Sequence, residues 1–241
     1  ACVPPKLLFR DLIAPAALPD SIRQRFLAIK SGSATFRMNV ALSELPDFLS
    51  RPGRNQQDHH GSGIIIGPGI DYLERAYLDA RRKGWSREPV IEMLIPSTLD
   101  PTLAPNGRHV ASLFVQHVAP ELPPPRSWQD PSEKEKFADH VIGIISRYAP
   151  NFRGSVLGRQ VLSPLDLERR FGLIDGDIFH GQLGLGQMYS LRPVLGYADY
   201  RLPMQGLYLC GSGSHPGGGV TGAPGYNAAR EILHDLRRGH I

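Results

Sequence analysis

The chain has 241 residues, of which 41% are hydrophobic and 21% charged, an ordinary globular composition that excludes wholesale disorder. Its formal charge of +4 comes from scattered cations and short clusters at Arg81-Arg82-Lys83, Arg169-Arg170 and Arg237-Arg238, each read as a solvated helix end, so no basic and aromatic stripe suggests a nucleic-acid groove. Cys2 and Cys210 form no C-x-x-C pair, which excludes a thioredoxin-like dithiol centre, and no apolar run nears the roughly 18 residues of a membrane span.

With 26 Gly and 22 Pro, many turns are expected. Pro19-Asp20 opens a short helix with Ile22, Phe26 and Ile29 at helical spacing. Residues 34–42 alternate and predict a strand. Residues 52–63 are polar and read as an exposed loop. His59-His60 within it lacks H-E-x-x-H or third-ligand spacing, so it reads as solvated, with no metal site. Ile64-Ile65-Ile66 is a short strand ended by Gly67-Pro68-Gly69. Asp71 caps a helix to Lys83, with Tyr72, Ala76, Tyr77 and Ala80 on one face and Gly84 closing it. Val90 to Ile95 and residues 108–118 are strands, and Asn106-Gly107 between them suits an antiparallel pair. Pro123-Pro124-Pro125 marks a surface linker. Asp130 then caps a helix with Phe137, Val141, Ile144, Ile145 and Tyr148 inward. Val156 to Leu162 is a strand, and a short helix follows to Gly172. The expected fold class is α+β, with a mixed, largely antiparallel sheet.

The C-terminal end differs. Leu207-Tyr208-Leu209-Cys210 reads as an apolar strand running into a glycine-rich turn, Gly211 to Gly222. A helix follows with Ala228, Ala229, Ile232, Leu233 and Leu236 on one side. Strand, glycine turn and helix form a cradle for phosphate-bearing ligands, because glycine lets backbone approach and the helix start offers free N–H groups. Gly217, Gly219 and Gly222 match G-x-G-x-x-G, a weak signal in so glycine-rich a run. A dinucleotide fingerprint opens a βαβ unit of roughly 30 residues, whereas this helix ends close to Ile241. The segment therefore reads as the closing strand–helix of a nucleotide domain begun elsewhere.

Residues 206–223, Gly-Leu-Tyr-Leu-Cys-Gly-Ser-Gly-Ser-His-Pro-Gly-Gly-Gly-Val-Thr-Gly-Ala, resemble the C-terminal flavin motif of phytoene-desaturase-like FAD-dependent oxidoreductases. Residues 89–92, 95–105, 166–169 and 178–180 extend the resemblance over most of the chain. It implies that residues 1–200 are a substrate-binding α+β domain and residues 201–241 the last segment of an FAD- or NAD(P)-binding Rossmann-like domain. It also implies FAD as cofactor, with Gly211, Ser212 and Gly213 near the ribityl chain and phosphate. Gly218, Gly219 and Val220 would offer amides to the flavin pyrimidine edge. The implied chemistry is hydride transfer between flavin and an organic, apolar substrate.

Other readings stand beside this one. His215 is an acid–base candidate or a loop-shaping histidine, and Cys210 reads as a small buried hydrophobe. Tyr189, Arg192 and Pro193 line a domain junction or pack an ordinary loop. No G-x-S-x-G elbow supports a hydrolase. The expectation is a C-terminal half whose N-terminal FAD-binding half is its partner. Alone it would not retain FAD and would be inactive, and its uncovered apolar surface would favour a homo-oligomer. The alternative is a flavin-free interaction or scaffold protein that keeps the fold. Without a signal-peptide pattern, the expected location is cytoplasmic in a bacterium and mitochondrial in a eukaryote.

Overall fold

Burial alternates along residues 36–42, with Phe36, Met38, Val40 and Leu42 inward and Asn39 and Ala41 outward, as a strand with one covered face requires. In the computed structural model, which describes residues 1–53 and 55–240, this strand is β1 (Phe36–Leu42). It belongs to a five-stranded antiparallel sheet with β2 (Ile64–Ile66), β3 (Trp85–Leu94), β4 (His109–Val118) and β5 (Val156–Leu162), in the order β2-β3-β4-β1-β5. Contacts divide the chain into two units: Ala1–Ala34 with Asp166–Ile241, and Thr35–Leu165, which holds the whole sheet. The fold is α+β.

The helices in chain order are α1 (Pro5–Leu7), α2 (Asp20–Leu27), α3 (Ile70–Lys83), α4 (Pro131–Tyr148), α5 (Phe152–Ser155), α6 (Pro164–Phe171) and α7 (Ala223–Arg238). In the sheet unit, α4 lays Phe137, Val141, Ile144 and Ile145 on the inward face, where Met38 opposes Leu113 and Leu113 opposes Met93. Asp130 caps α4 as expected, accepting from the Ser132 amide at 2.8 Å. Phe137 is the hub of the core, edge-on to Phe36 at 4.8 Å and stacked on Trp85 at 4.9 Å.

β3 starts five residues before the expected Val90, because only Trp85 pairs early. Its register with β4 jumps from Trp85↔Val118 to Val90↔Gln116, and Pro89 sits inside that bulge. His117, at φ 65, is the matching irregularity in β4 and returns Val118 to the core. Tyr72, Ala76 and Ala80 of α3 are buried as expected, but Tyr77 is exposed.

Three local expectations are corrected. His60 is fully buried, not solvated. Its Nδ1 accepts the Gln57 amide at 3.0 Å, so its Nε2 carries the proton and donates to the Pro46 carbonyl at 2.9 Å. Leu207 to Cys210 are extended but pair as a ladder only through the Tyr208–Arg201 bridge. Leu233 and Leu236 of α7 are half exposed, while Asp235, on the face with Pro224 and Ala228, is buried. The turn of the helix follows Asp235, which is anchored by ions rather than by leucine.

Candidate functional site

The glycine segment is built from successive tight turns in the first unit. The Ser214 amide and hydroxyl both donate to the Gly211 carbonyl, at 3.0 and 2.9 Å, and the Gly217 amide donates to the Ser214 carbonyl at 2.8 Å. Tyr200 donates its hydroxyl to the His215 carbonyl at 3.0 Å and receives the Asn227 amide at 2.8 Å, which ties the turns to α7.

The six expected binding residues fall into two groups. Gly211 and Gly213 are buried, and their lack of a side chain serves the chain's own packing. A Cβ on Gly211 would come within 2.9 Å of the Cys2 sulfur, and one on Gly213 within 2.5 Å of the Pro5 ring. The nitrogen of Ala1 donates to the Tyr208 carbonyl at 2.6 Å, and the Cys210 amide to the Ala1 carbonyl at 2.9 Å, so residues 1–5 lie along this segment. Ser212, between the two glycines, is half-buried. Gly218 is half-buried against Phe179, whereas Gly219 and Val220 are exposed.

Gly217, Gly219, Val220 and Gly222 all have positive φ, at 105°, 121°, 55° and 72°. For the β-branched Val220 this is an outlier that costs on the order of 1–3 kcal/mol. Among the described residues, the amides of Gly218, Gly219 and Val220 meet no protein acceptor. They precede α7, whose helix start adds a positive dipole end, although the Ala223 amide is taken by the Thr221 hydroxyl, Pro224 has no N–H and the Tyr226 amide bonds the Gly222 carbonyl. The result is a partly exposed run of backbone N–H groups without protein acceptors, suited to an anion or an electron-rich heterocycle edge.

His215 is half-buried with its ring 6.0 Å from that of Tyr189, and the ring makes no hydrogen bond among the described residues. Cys2 and Cys210 are both free thiols, and Cys210 donates to the Ala1 carbonyl at 3.3 Å.

Behind the loop lie groups whose role the sequence hid. Arg192 is 2% exposed and spreads its guanidinium over carbonyls: Nε donates to Ser212 at 3.0 Å, Nη1 to Gln187 at 3.2 Å, and Nη2 also reaches Phe179 and Gly181. Burial pulls its pKa down, and Asp177 opposes that shift. The Asp177 carboxylate accepts the amides of Gly32, Ser33 and Phe179 at 3.1, 3.2 and 2.9 Å. Burial raises its pKa against those donors and Arg192. His180, at φ 60, is pushed toward neutrality by burial and then by Arg192, and its Nδ1 is buried without a partner. An arginine within a glycine-rich, irregular stretch and the resemblance at residues 178–180 were the signals for this cluster.

A second cluster fixes α7. Arg201 holds the Asp235 carboxylate bidentately, at 2.7 and 2.8 Å, and Glu231 at 2.7 Å, while Tyr208 donates to Asp235 at 2.6 Å. The Arg201 and Tyr208 hydrogen bonds hold the Asp235 carboxyl below the usual range.

In the sheet unit, the face turned away from α4 is polar in part. Arg37 reaches the Ser112 hydroxyl at 3.0 Å with its guanidinium 5.5 Å from the Phe114 ring centre, and Gln116 hydrogen-bonds Glu92. Burial lowers the Arg37 pKa against the pull of Glu92. No helix among the described residues is long and apolar enough to cross a membrane.

No protein-family model matches the chain. It is 45% identical over 98% of its length to pyridine nucleotide-disulfide oxidoreductase domain-containing protein 2 of Rattus norvegicus, covering 41% of that protein. It is 31% identical over 59% of its length to a lycopene-forming phytoene desaturase of Pseudescherichia vulneris, covering 28% of that protein. A solved oxidoreductase from Methanosarcina mazei aligns with 92% of this chain and 40% of its own at 15% identity and a TM-score of 0.49. The chain thus resembles the phytoene-desaturase-like oxidoreductases, pyridine nucleotide-disulfide oxidoreductase domain-containing protein 2 among them, and spans about two fifths of the length of that relative.

Proposed function

We propose that the chain is the substrate-domain and flavin-edge portion of an FAD-dependent oxidoreductase acting on an organic, apolar substrate. The observation that carries this reading is the strained, amide-rich loop of Gly218, Gly219 and Val220 at the start of α7. A backbone outlier on an exposed β-branched residue is costly to keep, which favours a ligand site over the alternative of a bare scaffold.

The donor set suits a flavin. Bound there, FAD would supply a two-electron hydride carrier. The amides of residues 218–220 would donate to its electron-rich edge, and the dipole of α7 would favour negative charge at the same place. Ser212 and its neighbours would lie nearer the ribityl chain, with Arg192 holding the Ser212 carbonyl from behind. No carboxylate stands in the motif between Gly211 and Gly222, so a ribityl contact would rest on Ser212 and backbone. His215 is the acid–base candidate.

The test is an FAD titration of the purified chain followed by amide NMR, together with a visible spectrum after desalting. Amide shifts centred on residues 211–222, with flavin lost on desalting, are the expected result. Shifts elsewhere, or none, would remove the flavin assignment. Yellow protein after desalting would show that this portion needs no further FAD-binding half.

A further inference from the structure

Among the described residues, Arg192 is the only buried arginine or lysine. Every hydrogen bond it makes goes to a backbone carbonyl and none to a carboxylate. Taking a guanidinium out of water is costly, and neutral donors could meet carbonyls at lower cost. The choice of a cation here calls for a reason beyond packing.

The carbonyls it holds belong to the supports of the glycine loop. Nε donates to Ser212 at 3.0 Å, and Nη2 donates to Ser212 and to Phe179, both at 2.5 Å. Ser212 lies in the first turn of the loop. Phe179 is the floor of its other end, since a Cβ on Gly218 would come within 2.5 Å of that ring. The same Cβ would lie 3.6 Å from the Ser212 hydroxyl, and one on Gly217 would lie 3.6 Å from Arg192 Nε. One side chain therefore braces both groups of expected flavin residues.

The Ser212 contact also fixes a direction. The Ser212–Gly213 peptide is trans, so its N–H points opposite to its C=O. Arg192 holds the C=O, and the Gly213 N–H is turned away from Arg192. The Gly211 carbonyl is held likewise by the Ser214 amide and hydroxyl, at 3.0 and 2.9 Å, which turns the Ser212 N–H away from that turn. Among the described residues, neither the Ser212 nor the Gly213 amide meets a protein acceptor. Successive turn amides of this kind form an anion-binding nest.

We propose that Arg192 is a positioning residue of the flavin loop: through the Ser212 carbonyl it aims the Gly213 amide, beside that of Ser212, at the ribityl phosphate of FAD. The inference rests on the flavin reading above. Arg192 itself touches no ligand and acts through the peptide it holds. A planar guanidinium can hold the Ser212 and Phe179 carbonyls together, whereas a lysine ammonium keeps the charge but loses the fork.

The test is an FAD titration of the full chain, read by NMR at the Arg192 Nε–H and at the backbone amides of residues 211–222. FAD shifts the Arg192 Nε–H saturably, with the same midpoint as the Gly213 amide. Arg192→Lys weakens FAD by about tenfold, the scale of one lost charge-assisted hydrogen bond. In this variant the Ser212 and Gly213 shifts at saturation shrink, while those of Gly218, Gly219 and Val220 keep their size. The inference is overturned if FAD moves the loop amides but leaves the Arg192 Nε–H unmoved, a result read on the unaltered chain whether or not the variant folds. It is also overturned if Arg192→Lys binds FAD with unchanged affinity and pattern, or if both sets of shifts shrink together, as for a purely structural prop. A lack of any shift at residues 211–222 in the unaltered chain removes the flavin reading itself, and this inference with it.

Discussion

The two units of this chain are held together by different physics. The sheet unit is organised by apolar packing, with Phe36, Met38, Leu113, Phe137 and Ile145 among its fully buried side chains. The first unit has a smaller apolar cluster around Phe9, Phe26 and Leu209, and its long irregular stretches are fastened by ions. Arg192 gathers carbonyls, Asp177 gathers amides, and Arg201 and Tyr208 clamp Asp235. Regular ladders satisfy their own backbone groups and need only a covered face. Turns and short bridges leave carbonyls and amides over, and buried charges take them up. A loop built on the second kind of scaffold can hold adjacent residues such as Gly219 and Val220 at positive φ, whereas the sheet admits one such residue, His117, at the irregularity in β4.

The sharpest way to break this contrast is to remove packing where it matters most. Phe137→Ala deletes the hub between Phe36 and Trp85 and costs about 3–5 kcal/mol, the usual loss for a buried phenylalanine. Chemical unfolding followed by tryptophan fluorescence measures it, since Trp85 and Trp128 both lie in that core. A loss below about 1 kcal/mol would show that the unit does not depend on its apolar centre.

The same contrast explains what could be read from the sequence. Alternation at 36–42 and helical spacing from Phe137 to Tyr148 reported the sheet unit directly, because burial there is periodic. The glycine run and its helix were legible through turn chemistry. The anchoring of α7 was not, because its buried contact is a carboxylate. Asp235 is four residues from Glu231 and looks like one more charge on a solvated face until Arg201 and Tyr208 arrive from elsewhere in the chain. The satisfied His60 and unsatisfied His59 were equally unreadable, since only the Pro46 carbonyl and the Gln57 amide tell them apart.

The ionic side of the comparison is sharpened by pH. Asp235 has a folded-state pKa below its usual value, so its contribution is present above the ordinary aspartate range near pH 4 and is lost as pH falls through the folded value. Asp235→Asn should lower the melting temperature at neutral pH, where the clamp on α7 is intact. Below about pH 4 the wild-type melting temperature should fall toward that of the variant, and the two curves should converge. Melting curves recorded from neutral to acid pH decide the matter. Parallel curves would mean that the charge of Asp235 does not hold the helix.

The smallest effect concerns the loop itself. Val220 is fully exposed, so its side chain buries nothing that could offset a left-handed backbone. A β-branched residue at φ 55 is strained by its own Cβ, whereas glycine adopts that conformation freely. Val220→Gly therefore relieves on the order of 1–3 kcal/mol of strain and gives back about 0.5–1 kcal/mol in unfolded-state entropy. The net expectation is a gain of about 1 kcal/mol, measured by chemical unfolding. The substitution keeps the amide, so the residue-220 amide should still shift in an FAD titration if backbone donors make the contact. A variant that is less stable than the wild type would show that the valine side chain holds the loop. A variant of unchanged stability whose amide no longer responds to FAD would show instead that side-chain shape, rather than the N–H group, is what the flavin edge meets.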